Sequence, residues 1–201
     1  MRIRLHLVGV TLTTLVLGSA VSACFADSSA NIPQTFSGIS SKQMADGKRW
    51  TSDNLNVRIG HSYCYDEAEP NCAKYGRLYT WQSAQEGCHS LGNEWRLPSA
   101  AEWQQLAKQY GGISDDSEDG GKGAYAALSI GGRSGFDARL GGGRNPDGQY
   151  ARLEAHGFYW TASESSPATA WFYNFGKGGL ALHRQREGEK PMALSVRCVA
   201  G

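Results

Sequence analysis

The chain has 201 residues, and its 20 basic and 19 acidic side chains give a formal net charge of +1. This balance offers no basic footprint for nucleic acid, and the length suits one domain of ordinary size. The 26 glycines and 6 tryptophans favour a loop-rich fold with aromatic packing over a helical bundle.

Residues 1–23 have the pattern of a signal peptide. Arg2 and Arg4 form the positive end, residues 7–17 the apolar segment, and small residues follow. Removal of this segment would leave 18 basic and 19 acidic residues. No later stretch is long and apolar enough to span a membrane.

The end of this segment also predicts a lipid anchor. Val21-Ser22-Ala23-Cys24 resembles a bacterial lipobox, in which Cys24 is lipidated and becomes the new N-terminus. The membrane would then be bound through the lipid alone, at the outer membrane or cell surface. Ordinary cleavage after Ala23 or Ala26, which would give a periplasmic or secreted protein, is the alternative.

The other four cysteines predict two disulfides. In an oxidising compartment, Cys64, Cys72, Cys88 and Cys198 allow three connectivities. Cys64 and Cys72 are close neighbours in sequence, which favours a local bridge and leaves Cys88–Cys198. Zinc would need closely spaced pairs such as Cys-x-x-Cys, which do not occur here.

In chain order, residues 24–43 are polar and predict a flexible tether, and residues 44–201 form the domain. Short strands are predicted over residues 48–51 and 55–59. A helix is predicted from Trp81 to about Ser90, with Cys88 on its buried face.

A second helix is predicted over residues 100–109. Pro98 ends the preceding segment, and Ser99 and Glu102 form a Ser-x-x-Glu capping box. Gly111-Gly112 gives a C-terminal stop signal.

Residues 111–150 form a glycine-rich region with little periodicity, which predicts a long functional or mobile loop. Antiparallel strands are then predicted over residues 157–163, 170–175, 180–184 and 193–199. Two early helices and a later curled sheet indicate an α+β fold.

Blocks along most of the chain resemble a known family. In order, they are Trp50 with Asp53-Asn54-Leu55-Asn56, Ser62-Tyr63-Cys64-Tyr65, Tyr75-Gly76-Arg77-Leu78-Tyr79-Thr80-Trp81, Trp95-Arg96-Leu97-Pro98-Ser99 with Glu102-Trp103, Gly142-Gly143-Arg144-Asn145 with Asp147-Gly148, Tyr159-Trp160-Thr161-Ala162-Ser163 and Ser195-Val196-Arg197-Cys198-Val199. They resemble the Fibrobacter succinogenes major paralogous domain over residues 46–199. The second half is also similar to the C-terminal domain of the Legionella collagen-like protein, which binds host sugars.

The resemblance implies a C-type-lectin-like fold, in which a cysteine on the first helix pairs with one on the last strand. That pairing agrees with Cys88–Cys198. The resemblance also implies an exported bacterial protein, in many relatives a lipoprotein, and it transfers no catalytic residues.

Two motifs invite a calcium interpretation. Glu69-Pro70-Asn71 copies the mannose-type motif of animal lectins but precedes the first helix and lacks the later Trp-Asn-Asp, so chance is favoured. Asp115, Asp116, Glu118 and Asp119 match no EF-hand spacing, and a solvated loop is favoured. No metal or cofactor is therefore predicted, although structural calcium stays open.

An enzyme is not predicted. The mature histidines are scattered, and no Ser/His/Asp or His-Glu-x-x-His signature is present. The formylglycine-generating enzymes share the fold implied by the resemblance, but they need reactive cysteines, whereas the four here are predicted to form bridges.

The best predicted ligand-binding residues lie on the C-terminal strands. If the face of Trp171, Tyr173 and Phe175 is core, then the opposite face would be exposed. The predicted set is Phe172, Asn174, His183, Arg184 and Arg186. Such groups suit contact with a sugar or a protein, and an ordinary polar sheet face is the alternative.

The sequence thus predicts an exported envelope protein with a non-catalytic domain that binds a glycan or a protein. A purely structural envelope component and an enzyme of the formylglycine-generating type are the alternatives.

Overall fold

The computed structural model describes residues 40–201. Within this range four α-helices are present: α1 (Glu69–Tyr75), α2 (Trp81–His89), α3 (Ala100–Lys108) and α4 (Lys122–Leu128). The strands are β1 (Ser41–Gln43), β2 (Arg49–Thr51), β3 (Ser62–Tyr63), β4 (Leu78–Tyr79), β5 (Trp95–Arg96), β6 (Gly141–Arg144), β7 (Tyr150–Leu153), β8 (His156–Glu164), β9 (Thr169–Gly176), β10 (Ala181–Glu189) and β11 (Val199–Ala200). The α+β prediction is confirmed.

The two predicted helices form where local signals placed them. In α3, the Ser99 hydroxyl accepts a hydrogen bond from the Glu102 N–H, and the Glu102 carboxylate accepts one from the Ser99 N–H at 2.8 Å. This reciprocal cap satisfies two backbone donors at the helix start. Helix α2 buries Ala84 and Cys88, as its apolar spacing predicted.

The prediction of only two helices is wrong, because α1 and α4 also form, α4 within the glycine-rich region that was predicted to be a loop. Each has seven residues, too few to be stable in isolation, so tertiary contacts must hold it. Helix α4 packs against β10, and its first N–H groups donate to the Asp119 carboxylate. The glycine-rich region is therefore largely ordered.

The strands form three sheets. Their orders are β1-β2-β11-β5, β10-β9-β8-β6-β7 and β3-β4. The five-stranded sheet departs from the all-antiparallel prediction, since β6 and β8 pair in parallel at Gly142 and Gly157.

Two predicted strands do not form as regular strands. Residues 55–59 are irregular, although the Leu55 N–H donates to Val196 at 2.9 Å. Of residues 193–199, only Val199 belongs to a strand, while Ala193, Leu194 and Ser195 make isolated bridges. Residues 193–198 are all buried, so their apolar pattern reflected burial and not a continuous ladder.

The folded domain also includes residues that precede the predicted boundary at Met44. Ser41–Gln43, assigned from sequence to the tether, pair with β2 as an edge strand. The other predictions for residues 1–39, including the signal peptide and Cys24, lie outside the described residues.

Both predicted disulfides are present. Cys64 bonds to Cys72, and Cys88 on α2 bonds to Cys198, which directly precedes β11. The second bond links positions 110 residues apart and so joins the middle of the chain to its end.

The core is rich in aromatic side chains. Trp103 of α3 is fully buried, and its ring lies 5.1 Å from Trp50, 5.5 Å from Phe136 and 5.3 Å from Tyr173, measured between centroids. A second cluster surrounds Cys88 and Trp160. In the described part of the chain, no helix combines the length and apolar character needed to cross a membrane.

Candidate functional site

The predicted exposure of Phe172 and Asn174 is wrong. Their exposed fractions are 8% and 7%, because the face of β9 that carries them is also covered. Phe172 packs against Phe158 and Trp160, with ring centroids 5.9 and 6.1 Å away. Strand β9 therefore has protein on both faces.

Asn174 is also occupied by a polar neighbour. Its Oδ1 lies 2.9 Å from His156 Nδ1. On the other face of β9, Tyr173 and Phe175 are fully buried as predicted, whereas Trp171 is only half-buried.

His183 pairs across the sheet with Asn174, but the five predicted residues do not form one surface. His183 is half-buried, with its Nδ1 2.9 Å from the Ser114 hydroxyl. Arg184 lies on the opposite face, with its Cζ 5.0 Å from the Trp171 ring. Arg186 is exposed. The ligand role of this set stays a prediction, but the structure does not gather the set into one site.

The Glu-Pro-Asn motif has local structural roles. It begins α1, where Glu69 pairs with Arg58 at 2.5 Å and the Asn71 amide donates to the Tyr65 carbonyl. Glu69 lies near Cys64 and Cys72, but these sulfur atoms are bonded to each other and offer no thiolate to a metal.

In the acidic loop, the carboxylates of Asp116 and Asp119 likewise accept hydrogen bonds from nearby backbone N–H groups. Asp119 accepts hydrogen bonds above all from the Gly123 N–H, and these bonds lower its pKa. Asp116 accepts from the Ile113 N–H and the Gln104 amide; burial would raise its pKa, but these contacts lower it. Both carboxylates thus have donors within the protein.

A cleft lies elsewhere on the surface, and we call it the aromatic cleft. It has a volume of about 690 Å³. Its lining residues come from distant parts of the chain: His61, Tyr63, Thr80, Trp81, Gln82, Arg144, Pro146, Lys190 and Pro191. None of them is acidic.

Backbone pairing brings these segments together. The Thr80 N–H donates to the His61 carbonyl at 3.1 Å, and the Trp81 N–H donates to the Lys190 carbonyl at 3.1 Å. The Trp81 indole is fixed by its own N–H, which donates to the Thr161 carbonyl at 2.8 Å. The start of α2 therefore holds one wall of the cleft.

Cations lie over the aromatic rings. The Lys190 ammonium is 4.4 Å from the Trp81 ring and is held by Glu164 and the Pro167 carbonyl, each at 2.8 Å. Arg144 Cζ is 4.2 Å from the Tyr63 ring. Such contacts fix the positions of both partners.

Two stretches of the chain, residues 66–67 and 152–154, contain strained backbone. Asp66, Glu67, Arg152 and Glu154 have positive φ angles of 53°, 54°, 71° and 58°. Non-glycine residues adopt this geometry at a cost of about 1 kcal/mol or more each, and such residues concentrate at functional sites.

Tyr150 connects one of these strained residues, Glu67, to Arg144 in the cleft. Its hydroxyl donates to Glu67, and its ring centroid is 5.7 Å from Arg144 Cζ. Burial, together with the Glu67 carboxylate, raises the pKa of Tyr150 to about 12. Tyr150 is therefore a neutral donor at physiological pH.

Sequence reasoning assigned no binding role to Tyr63, Trp81, Arg144 or Lys190. Tyr63, Trp81 and Arg144 occur in the blocks that carry the family resemblance, which was the available signal. Their proximity depends on contacts such as that between Trp81 and Lys190, which are 109 positions apart in the sequence.

These features define a disulfide-linked α+β domain with a cleft lined by aromatic rings and cations. The chain belongs to the Fibrobacter succinogenes major domain family, whose model matches residues 35–200. The resemblance seen in the ordered sequence blocks is thereby confirmed. No curated protein matches the chain. No solved structure matches it either.

Proposed function

We propose that this protein is an exported bacterial envelope protein whose domain binds a glycan, without catalysis, in the aromatic cleft. The observation that carries the proposal is the lining of the cleft: Tyr63 and Trp81 beside the cations Arg144 and Lys190. Aromatic rings stack on the apolar faces of sugars, and cations and amides bind their polar groups.

The arrangement of elements supports a C-type-lectin-like fold. Helices α2 and α3 precede the curled sheet, and Cys88 on α2 bonds to Cys198 near the C-terminus. The family resemblance implies such a pairing of a helix cysteine with one at the last strand, although Cys88 lies on the second helix and not on the first.

The non-catalytic part of the proposal rests on the cysteines. Cys64, Cys72, Cys88 and Cys198 all lie in disulfides, so none is free for thiol chemistry of the formylglycine-generating type. The two disulfides also support export, because such bonds persist in oxidising compartments.

Binding is tested by a glycan array followed by calorimetry on Trp81→Ala and Trp81→Phe. We expect Trp81→Ala to weaken binding of the best glycan about tenfold or more and Trp81→Phe to weaken it less, because a smaller ring remains. Near-UV circular dichroism checks folding.

Trp171→Ala is the matched control. Trp171 is also a half-buried tryptophan with a cation over its ring, but it lies outside the cleft. We expect it to leave binding unchanged. Loss of binding in Trp171→Ala alone would move the site to the C-terminal strands, and a protein that binds no sugar on the array would contradict the glycan proposal.

The lipid anchor is tested by metabolic labelling with palmitate. We expect the full chain to be labelled and to fractionate with membranes, and Cys24→Ala to lose both properties. Unchanged labelling and fractionation in Cys24→Ala would mean that the lipobox prediction is wrong and that ordinary cleavage applies.

A further inference from the structure

Arg144 is a cation that the protein places in the cleft without a counter-ion. Among residues 40–201, other cations such as Arg58, Arg96 and Lys190 form ion pairs, but no carboxylate pairs with Arg144. Its Nε is buried and has no hydrogen-bond partner in that part of the chain. A buried guanidinium N–H without a partner is costly.

The guanidinium is held in place before any ligand arrives. The backbone N–H and carbonyl of Arg144 both pair with Ala193, at 2.9 and 2.8 Å. The side chain lies close to the rings of Tyr63 and Tyr150. This geometry restricts the rotamers of a long side chain and so lowers the entropy lost on binding.

Gly148 makes room for the guanidinium. A Cβ at this position would lie 3.0 Å from Arg144 Nη2, and the residue has a φ of +94°, which favours glycine. The turn between β6 and β7 thus accommodates Arg144 rather than covering it with a side chain.

The charged side chains that line the cleft favour an anionic ligand. The lining holds Arg144, Lys190 and His61 but no acidic side chain. Because Lys190 is already paired with Glu164, the charge available to a ligand is that of Arg144. The planar fork of an arginine matches a carboxylate with two parallel hydrogen bonds.

The walls of the cleft favour a sugar over a peptide strand. An extended peptide binds by pairing with free backbone groups at a sheet edge. Here the backbone groups of Arg144 are used by Ala193, and the Trp81 N–H is used by Lys190. The cleft therefore offers side chains, chiefly aromatic rings, to its ligand.

We propose that the ligand is a glycan that contains uronic acid, with its carboxylate bound by Arg144 and a sugar ring against Trp81 or Tyr63. This inference rests on the proposed function and narrows it. The polar group recognised is the carboxylate, so a neutral sugar of the same shape is bound more weakly.

The test compares uronic acid oligomers with their methyl esters, which keep the sugar chain and remove the charge. The probes are oligomers of galacturonic, glucuronic, mannuronic and guluronic acid, measured by calorimetry at low salt. We expect wild-type protein to bind at least one acid form tenfold or more tighter than its ester, and to bind it less tightly at high salt. This comparison needs no variant.

Arg144→Gln and Arg144→Lys then locate the effect. We expect Arg144→Gln to bind acid and ester alike, and Arg144→Lys to keep only part of the preference, since an ammonium cannot make the bidentate contact. Arg184→Gln is the matched control, because Arg184 also lies over an aromatic ring, and it should keep the full preference.

Several outcomes would overturn the inference. Equal binding of acid and ester by wild-type protein, or tighter binding of a sulfated sugar or an acidic peptide, would reject the uronic acid while leaving cleft binding intact. A preference that survives in Arg144→Gln would reject Arg144 as its source. If arrays and calorimetry detect no sugar at all, the proposed function fails together with this inference.

Discussion

Arg197 shows how a single side chain joins distant segments. It is fully buried, and it donates to the Asn54 side chain and the Thr51 carbonyl at 2.8 Å and to the Asp137 carbonyl at 2.9 Å. Burial lowers its pKa, yet arginine stays charged in proteins. The charge is therefore satisfied by oxygen atoms of three segments.

Glu102 is a second residue with more than one role. It caps α3 and accepts two hydrogen bonds from Arg96, at 2.6 and 2.7 Å. Burial alone would raise its pKa, but the hydrogen bonds from Arg96 and Ser99 outweigh burial and lower it to about 2. The ionised form is thus favoured in the folded protein.

The Glu102 contribution to stability should depend on pH. Since the folded pKa lies below the unfolded value of about 4.3, the contribution is present above pH 4.3 and is lost as the pH falls toward about 2. We expect Glu102→Ala to lower the free energy of unfolding by about 1–2 kcal/mol at pH 7. Urea titrations should show this difference shrinking in acid.

Glu187→Ala is the control for this experiment. Glu187 is exposed and lies 3.7 Å from Arg186, so its removal should change the free energy of unfolding by less than about 0.5 kcal/mol. A difference between Glu102→Ala and wild type that stays constant down to pH 2 would contradict the capping and ion-pair account.

At the scale of elements, the longer helices could be predicted from the sequence and the shorter ones could not. Helices α2 and α3 have nine residues each and carry local signals such as the capping box at Ser99. Helices α1 and α4 have seven residues each, and tertiary contacts must supply most of their support. A pattern read along the chain could not show those contacts.

The small disulfide organises the elements beside the cleft. Arg77 is buried, and one of its guanidinium N–H groups lies 3.4 Å from each of the sulfur atoms of Cys64 and Cys72. The same side chain donates to the Ser62 carbonyl at 3.1 Å, in the strand that carries Tyr63. The bond thus helps to hold one aromatic wall of the aromatic cleft.

At the scale of the whole molecule, the two disulfides differ in what they close. Cys88–Cys198 spans 110 residues and Cys64–Cys72 spans 8. By loop entropy the long bond stabilises the fold by about 5 kcal/mol and the short one by about 2.5 kcal/mol. The long bond also lies in the core cluster around Trp160.

We therefore expect unequal effects from removing the two bonds. Cys88→Ser with Cys198→Ser should lower the free energy of unfolding about twice as much as Cys64→Ser with Cys72→Ser, measured by guanidinium denaturation. The short-bond variant should stay folded but bind ligand more weakly, because β3 loses its support. Equal losses of stability would contradict the loop-entropy account.

The sequence by itself determined the features that depend on local chemistry and on block order. These are the α+β class, the family, the helices α2 and α3, and the two disulfides. The disulfides could be predicted because one pair of the four cysteines is close in sequence, which leaves the other two to pair with each other. Signal peptide and lipobox remain sequence predictions, as they lie outside the described residues.

Only the tertiary structure decided where a ligand could bind. The alternation along β9 separated Phe172 and Asn174 from Tyr173, but it could not show that both faces are covered. In the same way, Trp81 and Arg144 became neighbours in one cleft only through contacts between distant segments. The exposure of a side chain and its distance from other side chains depend on tertiary packing, so the periodicity of a single strand cannot predict them.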